Sequence, residues 1–417
     1  MDRRDAIRRE IERARDEIVD FTAELVRIPS VNPPGAGYRE AAETLGRKLA
    51  GFGFEVDTPV AEGYREHTSA HPRVNVVGLR RGKVDRPLTH LNGHLDVVPA
   101  GDGWTVDPFG GIIRDGRIYG RGTADMKAGI AAAVYAAECV KRAGVELLGS
   151  VEVSGTVDEE SGGFAGAAFL CETGRLVRER VDHVIIPEPL GVDRICVGHR
   201  GVYWFEVTAH GRVAHGSMPF LGVSAIERMG RLLESVRTEL LPALARRTTQ
   251  MPVVPEGARA ATLNVNSILG GQAGQVPQTP CVADRCSAVF DRRFLLEEGF
   301  EATKKEIEAL VEKHGGGFDI EDQMVVHPVQ TPEDSPLIAA LERTIPFVLG
   351  RKATRIASPG TYDHKHVTRI GGIDDCVAYG PGILELAHQP DEYCEIEDLV
   401  RSTEVIALTL HDLHGDR

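Results

Sequence analysis

Ile7, Ile11, Ala14, Ile18, Phe21 and Leu25 recur at three- and four-residue steps and predict one amphipathic helix, ended by Pro29. The turn-rich run "NPPGAGYRE" leads into a second helix, roughly residues 40–51. "RVNVVGLRRG" and "RPLTHLNGHLDVVP" have the apolar content of strands, and "DMKAGIAAAVYAAECVKRAG" is a helix with small residues on nearly every side, which predicts burial. "GSVEVSGTVDEESGG" is a strand running into a Gly-rich turn. "FAGAAFLCE" is a short helix and "VDHVIIPEP" another buried strand. Strands alternating with helices predict an α/β domain with a mostly parallel central sheet.

Near residue 195 the pattern changes. In "GVYWFEVTAHG" the residues Tyr203, Phe205 and Val207 share one face, as in a half-buried strand. A helical run, "VSAIERMGRLLESVRTELL", is followed by strands "ATLNVNSILGG" and "CVADRCSAVFDRRF". The helix "EEGFEATKKEIEALVEKH" and the strand "FDIEDQMVV" complete a β-α-β-β-α-β order, the ferredoxin-like arrangement. From about Ser335 the α/β style returns in "SPLIAALERTIPFVLG", "GIDDCVAYGPG" and "IEDLVRSTEVIALTLHDL". The expectation is one discontinuous α/β domain over residues 1–194 and 331–417, with a smaller α+β domain, residues 195–330, inserted in its middle. A chain of 417 residues is long for a single core, which agrees with two domains.

Composition narrows the function classes without choosing among them. A formal net charge of −14 argues against nucleic acid or an anionic membrane as the main partner. No apolar run reaches the length of a membrane span. The N-terminal stretch is charged and has no signal-like apolar core. Seven cysteines without a C-x-x-C pair suit packing residues in a reduced, cytoplasmic setting.

Chemistry enters at the strand ends. His94 follows "THLNG", Asp125 precedes the buried helix, and Glu159 and Glu160 close "VEVSGTVDEE". Glu188 closes "HVIIPEP", and His388 sits in "LELAHQPDEY" after the strand "CVAYGPG". Open α/β sheets bind ligands outside the carboxyl ends of their strands. Acidic and imidazole groups delivered to one edge repel or stay unpaired unless a divalent cation joins them. Two histidines and three carboxylates exceed the needs of one tetrahedral ion and suit two ions sharing a bridging carboxylate. Imidazole with carboxylate oxygen suits Zn2+, for which Co2+ or Mn2+ can substitute. Asp96, two residues after His94, is then the group that fixes the imidazole tautomer. One member of the Glu159–Glu160 doublet binds metal while the other moves protons. We assign Glu160 to metal and Glu159 to the proton, although spacing alone permits the reverse. Asp125 also suits a helix N-cap.

"GHLDVVPAGDGWTVDPFGGIIRDGRIYGRGTADMKAG" closely resembles the signature of the acetylornithine deacetylase / succinyl-diaminopimelate desuccinylase / carboxypeptidase G family of di-zinc metallopeptidases and amidohydrolases. "TVDEESGG", "PEP", "GRVAHGSMP", "LNVNSILGGQAGQVP", "YGPG" and "AHQPDEY" follow in the family's order over nearly the whole chain. The resemblance implies a zinc-peptidase-like catalytic domain with an inserted lid and dimerisation domain. It implies two Zn2+, one held by His94 and Glu188, the other by Glu160 and His388, with Asp125 bridging and a cis peptide after Asp125. Glu159 matches the family's catalytic base. His215, in "AHGSMP", matches a histidine that reaches the partner subunit's site in a homodimer. Asn264 and Arg292 match groups that bind a substrate carboxylate, with Arg293 and a pairing to Asp291 as competing uses. Thr361, in "SPGT", and Gly382, in "YGPG", are implied substrate contacts. The family's small-residue pattern after "SPGT" is replaced here by "TYDHKHVTRIGG". Tyr362, His364, Lys365 and His366 therefore either line the pocket or form a solvated loop. The implied activity is hydrolysis of a small-molecule amide, an N-acyl amino acid or related carboxylate-bearing compound. A di- or tripeptidase is the alternative within the family, and an inactive metal-binding scaffold the alternative outside enzymes.

Overall fold

The computed structural model describes residues 2–64, 66–272 and 280–415. The chain divides into two compact units, one of residues 1–197, 330–356 and 362–417, the other of residues 198–329 and 357–361.

The first unit is built on a nine-stranded mixed sheet. Its centre is parallel: Leu88–His94 lies between Ser150–Thr156 and His183–Ile186, and Cys376–Ala378 pairs beyond the latter. Antiparallel pairs flank this centre on both sides, Val76–Arg80 against Ser150–Thr156 and Cys376–Ala378 against Arg194–His199. Parallel strands must be covered on both faces, and the helices supply that cover. Ala128–Arg142 is buried from Ala128 through Val140, because Ala, Gly and Cys let neighbours approach from every side. Ile396–His414 packs beside it, and Pro336–Leu349 packs in turn on Ile396–His414. The N-terminal stripe is interrupted at Ala14, which separates helices Arg3–Arg13 and Arg15–Val26. The apolar spacing runs through that break unchanged, so periodicity alone predicts one helix.

The second unit has a four-stranded antiparallel sheet ordered Thr262–Gly271, Arg285–Phe294, Gly201–His210, Phe318–Val326. Two strands of this order flanking the first is the ferredoxin-like topology expected from sequence. Tyr203, Phe205 and Val207 are buried on one face, where Tyr203, Phe205 and Phe290 stack at centroid spacings of 4.6 and 5.0 Å. Helix Ala225–Ser235 covers that face, with Met229 and Leu232 buried. All seven cysteines are free and six are buried, as packing residues are. Among the described residues no helix is long and apolar enough to cross a membrane.

Candidate metal centre

The carboxyl ends of the parallel strands carry the site. His94 ends the Leu88–His94 strand and is buried. Its Nδ1 donates to the main-chain oxygen of Asp96 at 2.9 Å, and its Nε2 lies 2.9 Å from Asp125 Oδ1. Asp125 sits in the irregular turn before the Ala128–Arg142 helix, with a cis peptide to Met126. Its other carboxylate oxygen is 3.6 Å from His388 Nε2. That same imidazole nitrogen lies 3.1 Å from Glu160 Oε2. His94, Asp125 and Glu160 each offer a ligand atom, all within 4.8 Å of one another. Glu188 is buried against the Asp125 carboxylate, and His388 closes the group from a half-exposed loop position with φ 64°. The five residues named from sequence as metal ligands thus stand together.

Their electrostatics suit a bound cation. Burial, then the Asp125 charge, pushes the Glu188 carboxyl well above the usual range. Burial likewise pushes Glu160 up to about 7. Carboxylates taken out of water beside one another are costly unless compensated. The donor set of carboxylate oxygen and imidazole nitrogen matches a borderline divalent ion, so these residues fit the metal that the motif implies.

Asp96 departs from its expected role. Its carboxylate is 3.6 Å from His94 Nδ1, too long for a hydrogen bond. Instead that carboxylate accepts from the main-chain N–H of Glu159 and of Glu160, both at 3.2 Å, and from Asn32 Nδ2 at 3.0 Å. The histidine tautomer is fixed by the Asp96 main chain, and the side chain shapes the glutamate turn.

Glu159 lies outside the three-residue cluster. Its Oε1 is 3.4 Å from Lys365 Nζ. Lys365 belongs to the run "TYDHKH", for which sequence left pocket and solvated loop open; Tyr362 through His366 are all buried. Burial holds the His364 and His366 imidazoles down at about 3, hence neutral. Gly382 is buried with φ 94°, and a Cβ there would come 3.1 Å from Pro189 Cβ and 3.3 Å from Ala124 Cα. It therefore packs between the segments that carry Glu188 and Asp125.

Sequence reasoning missed Glu392, although "AHQPDEY" contains it. The buried Glu392 carboxylate accepts from the main-chain N–H of Gly122, Ala124 and Asp125 at 3.0, 2.9 and 3.2 Å and pairs with the buried Arg121. It holds the turn that delivers Asp125. The only available signal was an acidic residue close to His388.

In the second unit His215 is exposed, its Nδ1 2.8 Å from Ser217 Oγ. Asn264 is exposed and donates to Asn266 Oδ1 at 2.7 Å. Thr361, half-buried, ends the 357–361 segment of that unit. Arg292 corrects an expectation. It is fully buried and bonded to Glu298 Oε1 at 2.5 Å, so it is committed within the unit rather than open to a substrate carboxylate. Strand alternation is the cause: Arg292 shares the inward face with Phe290 and Phe294, whereas Arg293 faces the other way and pairs with Asp291 at 2.7 Å. Residues 273–277 of the "LNVNSILGGQAGQVP" motif lie outside the described residues.

Comparison with known proteins agrees with this geometry. The model of peptidase family M20/M25/M40 matches residues 90–412. A succinyl-diaminopimelate desuccinylase from Leptothrix cholodnii is 31% identical over 400 residues, 94% of this chain and 97% of that one. Among solved structures, an M20 family metallo-carboxypeptidase from Sulfolobus solfataricus superposes with TM-score 0.77 at 20% identity, covering 95% of this chain and 99% of the other. A dinuclear metal-binding peptidase of the M20 family from Bacillus subtilis superposes with TM-score 0.69 at 17% identity, over 96% and 99% of the two chains. The chain therefore belongs to peptidase family M20/M25/M40 and is a hydrolase of amide bonds.

Proposed function

We propose that this hydrolase removes an acyl group from a small carboxylate-bearing amide, an N-acyl amino acid, using two Zn2+ ions and Glu159 as general base. The observation that supports it is the division of one turn: Glu160 stands within the His94–Asp125 cluster while Glu159 stands beside it. His94 and Glu188 would hold one ion, Glu160 and His388 the other, and Asp125 both. Bound there, the ions supply Lewis acidity to the amide carbonyl and acidify water. Glu159 Oε takes one proton from the attacking water as its oxygen bonds to the carbonyl carbon. The same carboxyl then gives that proton to the leaving nitrogen as the C–N bond breaks, so one residue serves as base and acid in turn. The named desuccinylase relative supports a dicarboxylate acyl donor.

We also assign to the second unit the contact between two copies of the chain. Its Thr262–Gly271 strand lies at a sheet edge, and Ile268 and Leu269 there are 55% and 75% exposed.

The test is the zinc-loaded protein against a panel of N-succinyl, N-acetyl and N-formyl amino acids and dipeptides, with products read by mass spectrometry. Chelation should abolish turnover and zinc restore it. Glu159→Ala should retain two ions by elemental analysis while kcat falls by about 10²–10⁴-fold. A fully active Glu159→Ala removes the base assignment. Cleavage confined to dipeptides replaces the deacylase with a peptidase.

A further inference from the structure

Two adjacent carboxylates on one turn are chemically alike, and a divalent cation would accept either. What distinguishes them lies across from the turn. Glu160 faces His388 Nε2 at 3.1 Å, whereas Glu159 Oε1 faces Lys365 Nζ at 3.4 Å. The Lys365 side chain is only 5% exposed. We propose that Lys365 is a positioning residue whose ammonium keeps Glu159 out of the metal set and available for proton transfer, leaving Glu160 as the ligand. This rests on the reading of Glu159 as the base.

A buried ammonium is tolerated only when paired. Were Glu159 to turn toward the cations, the Lys365 ammonium would lose its hydrogen-bonded carboxylate while remaining out of water, keeping only the longer-range attraction of Asp363. The lysine thus favours one orientation of the doublet, provided that it cannot follow the turn. The surroundings prevent that. Lys365 lies in the short helix His364–Arg369, which is tied on both sides. His366, neutral by burial, donates from Nε2 to the main-chain oxygen of Gly162 at 2.6 Å. Gly163 has φ 77°, and a Cβ there would meet Asp363 Oδ1 at 2.5 Å, so only glycine permits the helix this close to the turn.

From below, Asn92 Nδ2 donates to Asp363 Oδ2 at 2.9 Å. Ser154 Oγ donates to Asn92 Oδ1 at 2.7 Å and lies 2.7 Å from His90 Nε2. His90 Nδ1 in turn lies 2.8 Å from Glu152 Oε2. His90 and Asn92 are the register partners of Glu152 and Ser154 in the parallel sheet. A chain of buried hydrogen bonds therefore anchors the start of the Lys365 helix to two rigid strands.

The experiment compares Lys365→Met, which keeps length and removes charge, with Lys365→Arg and with Glu159→Gln, each loaded with Co2+. Lys365→Met should lower kcat about tenfold or more with KM within about threefold. Its visible cobalt spectrum should change as Glu159 enters the coordination sphere, and the change should vanish in Lys365→Met/Glu159→Gln. Lys365→Arg should restore the parent spectrum and most of kcat. A parent-like kcat and spectrum in Lys365→Met overturns the proposal. So does a raised KM with kcat kept, which would make Lys365 a contact for an anionic group of the substrate. If Lys365→Met alone does not fold, the double variant removes both members of the pair together; a double-variant spectrum different from that of Glu159→Gln overturns the proposal. Parent-like turnover in Glu159→Gln would sink the base reading separately, while the cobalt spectra still decide the role of Lys365.

Discussion

Asp96 divides two tasks between its main chain and its side chain. Its main-chain oxygen takes the His94 Nδ1–H, and its carboxylate takes the N–H groups of Glu159 and Glu160. Asp96→Asn separates them, because the main chain is untouched while one acceptor oxygen becomes a donor facing an N–H. We expect kcat to fall about 10–100-fold, the scale seen when supporting groups around a metal are altered, with His94 still ligating. Steady-state kinetics with a metal titration checks this; an unchanged kcat would return the aspartate to a role confined to the histidine. The five proposed ligands were picked out in the sequence by their motifs: His94 closes a strand, whereas Asp125 lies in the turn before a helix and His388 in a loop. Arg292 was misassigned even though parity was available: it is in step with Cys286, Ala288 and Phe290, the apolar set of its strand. Lys365 was not legible, since a short run of polar residues looks alike in a pocket and in water.

At the scale of elements, polar residues alternate along strands that are nonetheless buried throughout, Leu88–His94 and Ser150–Thr156. Alternation normally marks a solvated face; only the register that sets His90 opposite Glu152 shows that these side chains satisfy one another. The C-terminal helix Ile396–His414 follows its apolar spacing, yet ends on a histidine that sequence could not place. His414 is buried, with Nε2 2.6 Å from Thr89 Oγ1, and burial, then His183, pushes its imidazole down to about 4. The folded pKa lies below the unfolded value of about 6.5. The unfolded chain therefore binds the proton first, and stability falls as pH drops from about 6.5 to about 4. Below that both states are protonated and the slope from this group ends. The loss is up to about 3 kcal/mol across the window. His414→Gln keeps a partner for Thr89 and removes the titration. Its melting temperature should fall less than the parent's between pH 6.5 and 4; parallel curves would show that His414 does not govern acid stability.

For the whole molecule, the open question is how the edge of the second sheet is kept from uncontrolled pairing. Among the described residues the Thr262–Gly271 strand has a neighbour on one side only, and Val265, Ile268 and Leu269 leave apolar surface along it. An edge of this kind invites another strand. The strand carries no lysine or proline to blunt it, and the second copy proposed above would cover it. In a two-fold contact each substitution acts twice, once per copy. Ile268→Asp with Leu269→Asp would set charges where apolar groups had been buried, and each lost side chain is worth about 1.5–3 kcal/mol. The dissociation constant should therefore rise at least about 10²-fold, giving monomers at micromolar concentration with circular dichroism unchanged. Sedimentation velocity over a concentration series decides it: a parent chain that is already monomeric at every concentration, or a double variant that remains dimeric, removes this strand from the interface.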